Sequence, residues 1–329
     1  MPARHQDRWE EARQVFNRYL LPKVAFTIIT IASAVGAYMA VDGDGPVTYR
    51  AAVHWAFLLS LGLTTGALVW NALYAQPAAS LLDGPSADAY LVRQRQVFRR
   101  AQHWLLPVLA VAGALDLTLR GLMHAASPLG AGAAAAALLA LTILVGTEAA
   151  RRGAAGPDLT AVDRISLGAA LLLVVLAGWP EVLTRHGLNW VQLGVRSVHL
   201  LAFSLWYGGA FWNIFVAVPA AGKDADFTVV AAANLQLERF RWVVRFVFPT
   251  IFLTGLAQAY GYFGLHYEAL LISGFGRLVL VKLGLITALV VVFITCPMWR
   301  ACSPIRGVCN IEDLKGEDPL GLPLHMPAD

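Results

Sequence analysis

Polar and apolar positions fall in long blocks along this chain. Eight runs, at roughly 24–41, 52–75, 102–121, 129–148, 165–183, 194–217, 245–263 and 277–297, are apolar almost throughout. A helix needs about 20 such residues to cross the hydrocarbon core of a bilayer, so each run predicts a spanning helix. The fifth is interrupted near its end by Trp179-Pro180-Glu181. The first follows a charged stretch (Arg4, Arg8, Glu10, Glu11, Arg13, Arg18, Lys23) and lacks a clear small-residue cleavage site, which predicts a retained span and not a cleaved signal.

Composition agrees with the blocks. Of 329 residues, 58% are hydrophobic and 14% charged, against about 45–50% and about 25% in soluble domains. Mean hydropathy is +0.60. A soluble surface needs more charge than this, which excludes a cytosolic globular enzyme, a disordered chain and a disulfide scaffold. Segments rich in Ala, Leu and Val favour helices over the alternating strands of an outer-membrane barrel. The expected fold is an all-α polytopic membrane protein.

Basic residues alternate between loops. Arg93, Arg95, Arg99 and Arg100 precede the third span; Arg151, Arg152 and Arg164 the fifth; Lys223, Arg239 and Arg241 the seventh; Arg300, Arg306 and Lys315 follow the eighth. The intervening loops hold one or two each, such as Arg50 or Arg120. The positive-inside rule then predicts a bacterial-type inner (plasma) membrane protein with both termini cytoplasmic. The net charge of +4 follows from these loops and calls for no nucleic-acid partner. A segment 1–23 and a tail 301–329, rich in proline, are expected outside the bundle, the tail mobile.

The chain also repeats itself. An offset of 142 residues carries Trp70-Asn71 onto Trp212-Asn213, Pro77 onto Pro219, Gln94 onto Gln236, Phe98-Arg99 onto Phe240-Arg241, Pro107 onto Pro249, Gly113 onto Gly255 and His124 onto His266, with no gap. The prediction is eight transmembrane helices as two parallel four-helix repeats, 24–150 and 160–300, related by a pseudo-twofold axis along the membrane normal. Gly62, Gly66, Gly208 and Gly209 suit close helix approach. Trp70, Trp206, Trp212, Tyr207, Tyr260 and Tyr262 are expected in the core or the interfacial belt.

Few polar groups remain inside, and histidines dominate them. His54 and His199 lie a turn or two into spans two and six, His124 and His266 follow spans three and seven, and His186 sits in the loop before span six. In the predicted topology all five are on the periplasmic side. His199 aligns with Phe57, so His54 and His199 share nearly one helix face, about a turn apart. Imidazoles on symmetry-related helices could bind copper or haem b; alternatively they hydrogen-bond carbonyls or headgroups. His54, His199, His124 and His266 are thus the candidate metal or haem residues. Asp116, Gln258 and Arg196 are the candidate supporting groups, orienting a ligand or gluing helices; Arg196 could also snorkel or hold an anion. Lys282 is expected to snorkel, Glu148 to form a surface ion pair with Arg151 and Arg152, and His103 to anchor at the interface. Cys296, Cys302 and Cys309 have no zinc or iron–sulfur spacing and read as inert thiols or a cytoplasmic soft-metal docking point.

His199-Leu200-Leu201-Ala202-Phe203-Ser204-Leu205-Trp206-Tyr207-Gly208-Gly209 resembles the His-Leu…Trp-x-Gly-Gly signature of the copper resistance protein D (CopD-like) family. Phe240-Arg241 and Gly276-Arg277-Leu278-Val279-Leu280-Val281-Lys282-Leu283 also resemble that family. The resemblance covers about 190–300 and implies an inner-membrane protein in copper handling, with His199 the matched polar position. Soft Cu(I) pathways favour methionine and cysteine. The five methionines, Met1, Met39, Met123, Met298 and Met326, form no ladder across the membrane, which favours a periplasmic-side site over a channel.

Three functions are therefore expected to compete: copper handling at a periplasmic-side histidine site, a haem b subunit passing electrons between quinol and a periplasmic partner, and a cofactor-free assembly or anchor subunit. The partners are the lipid bilayer and a periplasmic copper- or electron-carrying protein. With no P-loop, nucleophile triad or His-Glu-x-x-His motif, an independent enzyme is the weakest reading.

Overall fold

A computed structural model describes residues 20–41, 48–75, 85–123, 127–150, 160–221, 227–264 and 268–295. His124, His266, the three cysteines, residues 1–19 and the tail lie outside the described residues, as do Arg151 and Arg152. The helices are α1 (Leu20–Val41), α2 (Thr48–Val69), α3 (Pro85–Met123), α4 (Pro128–Ala150), α5 (Ala161–Ala177), α6 (Trp179–His186), α7 (Trp190–Phe211), α8 (Val218–Ala221), α9 (Phe227–Phe263), α10 (Glu268–Ile272) and α11 (Gly274–Thr295). Among the described residues eight helical segments are long and apolar enough to cross a membrane, and each coincides with one of the apolar runs. The protein is an all-α polytopic membrane protein.

The 142-residue offset holds in the helices themselves. Thr48–Val69 maps end for end onto Trp190–Phe211, and α3 begins at Pro85 where α9 begins at Phe227. Both α2 and α7 widen into a π turn at the same place, Trp70–Tyr74 and Trp212–Ala217. Both α3 and α9 carry an internal proline, Pro107 and Pro249, whose missing N–H interrupts the hydrogen-bond ladder. The counterpart of α1 is divided in two: α5 ends at Gly178 and Pro180 starts α6, a position in the first helical turn where proline forfeits no bond.

The repeats meet along α2 and α7, which pack on each other at the centre. A Cβ on Gly66 would run into the Ser204 carbonyl and the Gly208 Cα, and one on Gly208 into the Gly66 Cα. Gly66 and Gly208 are separated by the same 142 residues, so equivalent positions of α2 and α7 bring two backbones into contact. Aromatic rings repeat the exchange: Trp70 meets Phe240 at 5.5 Å and Phe98 meets Trp212 at 5.4 Å. Each repeat thus buries a tryptophan against the other's phenylalanine. Around this centre α1 packs on α2, α3 on α2 and α9 on α7, and the ring closes where α4 meets α5 and α11 meets α1.

Trp70, Trp206, Trp212 and Tyr207 are core residues, whereas Tyr260 and Tyr262 are exposed. His103 is exposed. Glu148 differs from its expected place: it is buried and accepts a 2.5 Å hydrogen bond from Gln102 Nε2. The Ala-rich α4 sinks its carboxylate end into the bundle, where only a polar partner makes burial tolerable.

Overpacking usually costs about 1–3 kcal/mol, and backbone facing backbone cannot relax as a side chain can. Gly208→Val should therefore lower the thermal unfolding midpoint in detergent by several degrees. Gly132→Ala, inside α4 with nothing within 4 Å of the added Cβ, should not lower it, since alanine is the better helix former. Equal midpoints for the two variants would contradict the close approach.

Candidate functional site

Two polar clusters lie inside the bundle, at repeat-equivalent places near the end where α2 and α7 begin. In the first repeat His54, on α2, is fully buried between Asp116 and Arg120 of α3. Asp116 Oδ2 is 3.1 Å from His54 Nδ1 and 3.1 Å from Arg120 Nε. Arg120 Nη2 lies 2.7 Å from Nδ1 and 2.8 Å from Nε2 of the same ring. With Nδ1–H donating to Asp116, Nε2 can accept from Arg120, and the short Arg120 Nη2–Nδ1 approach is then a contact and not a hydrogen bond. Arg120 also donates to the Ala177 carbonyl at 3.4 Å, closing the cluster against α5. Both nitrogens of His54 lie within hydrogen-bond distance of Asp116 or Arg120.

In the second repeat Arg196 stands where His54 stands and Gln258 where Asp116 stands. The side chain of Asn189 caps α7, accepting from Val191 N and Gln192 N, and sets Arg196 and His199 two and three turns inside. A Cβ on Gly178 would collide with Arg196 Cγ. The glycine at the α5–α6 break therefore lets the Arg196 side chain pass to Glu181, which it meets at 3.3 Å. Arg196 Nη1 donates to Gln258 Oε1 at 3.1 Å, and Tyr262 OH to Glu181 Oε1 at 3.4 Å.

His199 lies one turn deeper. Thr254 Oγ1 spends its proton on the Thr250 carbonyl at 2.6 Å, so it can only accept from His199 Nδ1–H at 2.9 Å. That fixes the tautomer and leaves Nε2 as a lone pair. His199 borders a partly open cavity of about 150 Å³ between α1, α6, α7, α9 and α11. A cavity of that size takes benzene in other proteins. Arg196, Lys282, Glu181 and Gln258 supply its polar wall; Ile251, Leu256, Val279 and other apolar residues supply most of the rest.

The cavity exists because the repeats differ. In the first, α3 packs on α4, and a Cβ on Gly113 would press on Leu141 and Phe57 within about 3 Å. In the second, α9 and α11 are not a closely packed pair among the described residues. A Cβ on the equivalent Gly255 would meet only His199, at 3.6 Å. Phe57 has become His199, Ala140 has become Lys282 and Met39 has become Glu181. Phe275 closes the rim against Tyr262 at 4.7 Å and Phe263 at 5.6 Å.

His54 and His199 thus occupy different settings: one sealed in an ion cluster, one beside open space. Asp116 holds His54, and Gln258 and Arg196 belong to the cavity. Among the described residues no group of three or more His, Cys, Asp or Glu could enclose a metal ion. Sequence reasoning gave Glu181 no site role, counted Arg120 as a loop residue and treated Lys282 as snorkelling. The internal repeat held the missing signal, because each of these stands where the other half has a different chemistry.

Comparison with protein-family models, with curated proteins and with solved structures finds no match.

Asp116→Ala leaves the Arg120 guanidinium buried without its carboxylate. Removing one partner of a buried pair typically costs about 3–5 kcal/mol, so the variant should unfold in detergent at a clearly lower temperature. Asp116→Ala/Arg120→Ala should lose less than the sum of the single variants, the difference being their coupling. Additive losses would show that the two side chains do not act as a unit.

Proposed function

We propose that this is a bacterial-type inner-membrane protein, both termini cytoplasmic, that works by holding a ligand taken from the periplasmic side in the cavity around His199. One observation carries the reading. Where the first repeat fills the space between its third and fourth spans, the second leaves it open and lines it with Arg196, His199, Lys282 and Glu181. Polar groups inside a bilayer are costly and mark functional sites more often than structural ones.

Copper handling is the first chemistry to test, on the resemblance of 199–209 to the copper resistance protein D family and on the free Nε2 of His199. In this reading His199 is the protein's copper ligand and a periplasmic copper carrier the partner. Further donors would come with the copper, since Arg196 and Lys282 repel a bare cation. The absence of a methionine ladder fits a docking site better than a channel. Haem b is the second reading: His199 would hold its iron and Arg196 and Lys282 would answer its acid groups, but a porphyrin exceeds a cavity of this size, so α9 and α11 would have to part to admit it. Bound haem would supply one-electron transfer between quinol and a periplasmic carrier. His54, with both nitrogens engaged, enters neither reading as a ligand.

Protein purified from the native membrane should carry stoichiometric copper, or a Soret band, that His199→Ala abolishes while His54→Ala, if it folds, does not. Neither signal in wild-type protein would remove both chemistries and favour the cofactor-free anchor.

A further inference from the structure

The two polar clusters differ in charge as well as in shape. In the first repeat Asp116 answers Arg120 and the cluster is closed. In the second, Glu181 answers Arg196, but Lys282 has no counterpart. Its ammonium lies against Gly36 of α1, where an added Cβ would be 3.2 Å from Nζ, and it borders the cavity. It has no hydrogen-bond or ion-pair partner among the described residues. The carboxylate that the first repeat carries at Asp116 is an amide in the second, Gln258, and Arg120 has become Tyr262. One repeat supplies its own anion; the other holds a positive charge over, facing open space.

An ammonium within a bilayer needs a counter-charge or a route to water. The rest of the wall limits what that counter-charge is attached to. Ile251, Leu256, Val279, Leu283 and Ile286 make most of the lining apolar, and these residues of α9 and α11, which are not a closely packed pair among the described residues, face each other across room for an apolar tail. An inorganic ion would satisfy Lys282 and leave these residues unpaired. We infer that the cavity binds a singly charged carboxylate on an apolar body, its head on Lys282 beside Arg196 and its tail along the α9–α11 gap. This rests on the cavity being the functional site, and it names the ligand's charge and shape.

The experiment is octanoate binding to full-length protein in zwitterionic phosphatidylcholine nanodiscs, followed by calorimetry, with octanol as the uncharged control. Octanoate should bind saturably and octanol at least about tenfold more weakly, as expected for loss of a charge-assisted hydrogen bond. Lys282→Gln should weaken octanoate by at least about tenfold without lowering the unfolding midpoint. Gln258→Asp should do the same by restoring the internal carboxylate of the first repeat. Exchanging the host lipid for phosphatidylglycerol tests the carboxylate itself: octanoate binding that persists supports a free acid, and octanoate displaced by the phosphodiester headgroup overturns the carboxylate in favour of an anionic lipid. Equal binding of octanoate and octanol, or octanoate binding unaffected in both folded variants, overturns the inference. Copper or haem lost in His199→Ala with no octanoate binding would overturn the inference and leave the ligand site standing. Octanoate binding in protein with neither cofactor would support the inference and remove the copper and haem readings.

Discussion

The contact between the backbones of α2 and α7 at Gly66 and Gly208 sets the geometry of everything around it. In a bilayer no hydrophobic force drives helices together, so close packing of small residues carries the association. Two glycines at equivalent positions bring the helices near enough for Trp70 and Phe98 of one half to reach Phe240 and Trp212 of the other. With the central pair fixed, the remaining helices are placed as a ring. The ring closes through one pair of junctions, α4 on α5 and α11 on α1. Because α11 is held by α1, it can stand off from α9, and the cavity is the space this leaves.

The bundle therefore joins symmetric and asymmetric parts. Along α2 and α7 the two halves are near copies. Toward the ends of α3 and α9 a few substitutions separate them. The first half became a sealed, charge-balanced support in which His54, Asp116 and Arg120 tie α2 to α3. The second kept the same frame and exchanged bulk for polarity: imidazole for phenyl at His199, ammonium for methyl at Lys282, carboxylate for thioether at Glu181. Each exchange puts a polar or charged group where the first half has an apolar one.

Most of the fold was legible in the sequence because a bilayer asks a simple question of each segment. Long apolar runs answer it by length, and the Trp-Asn, Pro and Gly matches at a fixed offset carry the repeat. The site was less legible because its meaning lies in differences between the halves, not in any one residue. His54 and His199 look alike as buried histidines on related helices. What separates them, a guanidinium reaching from Arg120 and a hydroxyl oriented by Thr254, comes from other helices. Glu148 misled for the same reason: its flanking arginines suggest an exposed pair, while Gln102 of another helix receives it inside. The histidines at 124 and 266, fully equivalent by offset, fall outside the described residues.

The paired π turns at Trp70–Tyr74 and Trp212–Ala217 also bear on history. Such turns are uncommon, cost helical regularity and survive mainly where they serve a purpose. Two arising separately at the same register in two halves of one chain is a poor explanation. A single four-helix ancestor that already carried the widened turn accounts for both. On that chronology the turn and the aromatic exchange beside it are old, and fit an ancestor that paired as two identical copies. On the same account the halves could come to differ, as they do at the cavity, once fusion freed each copy from having to match the other.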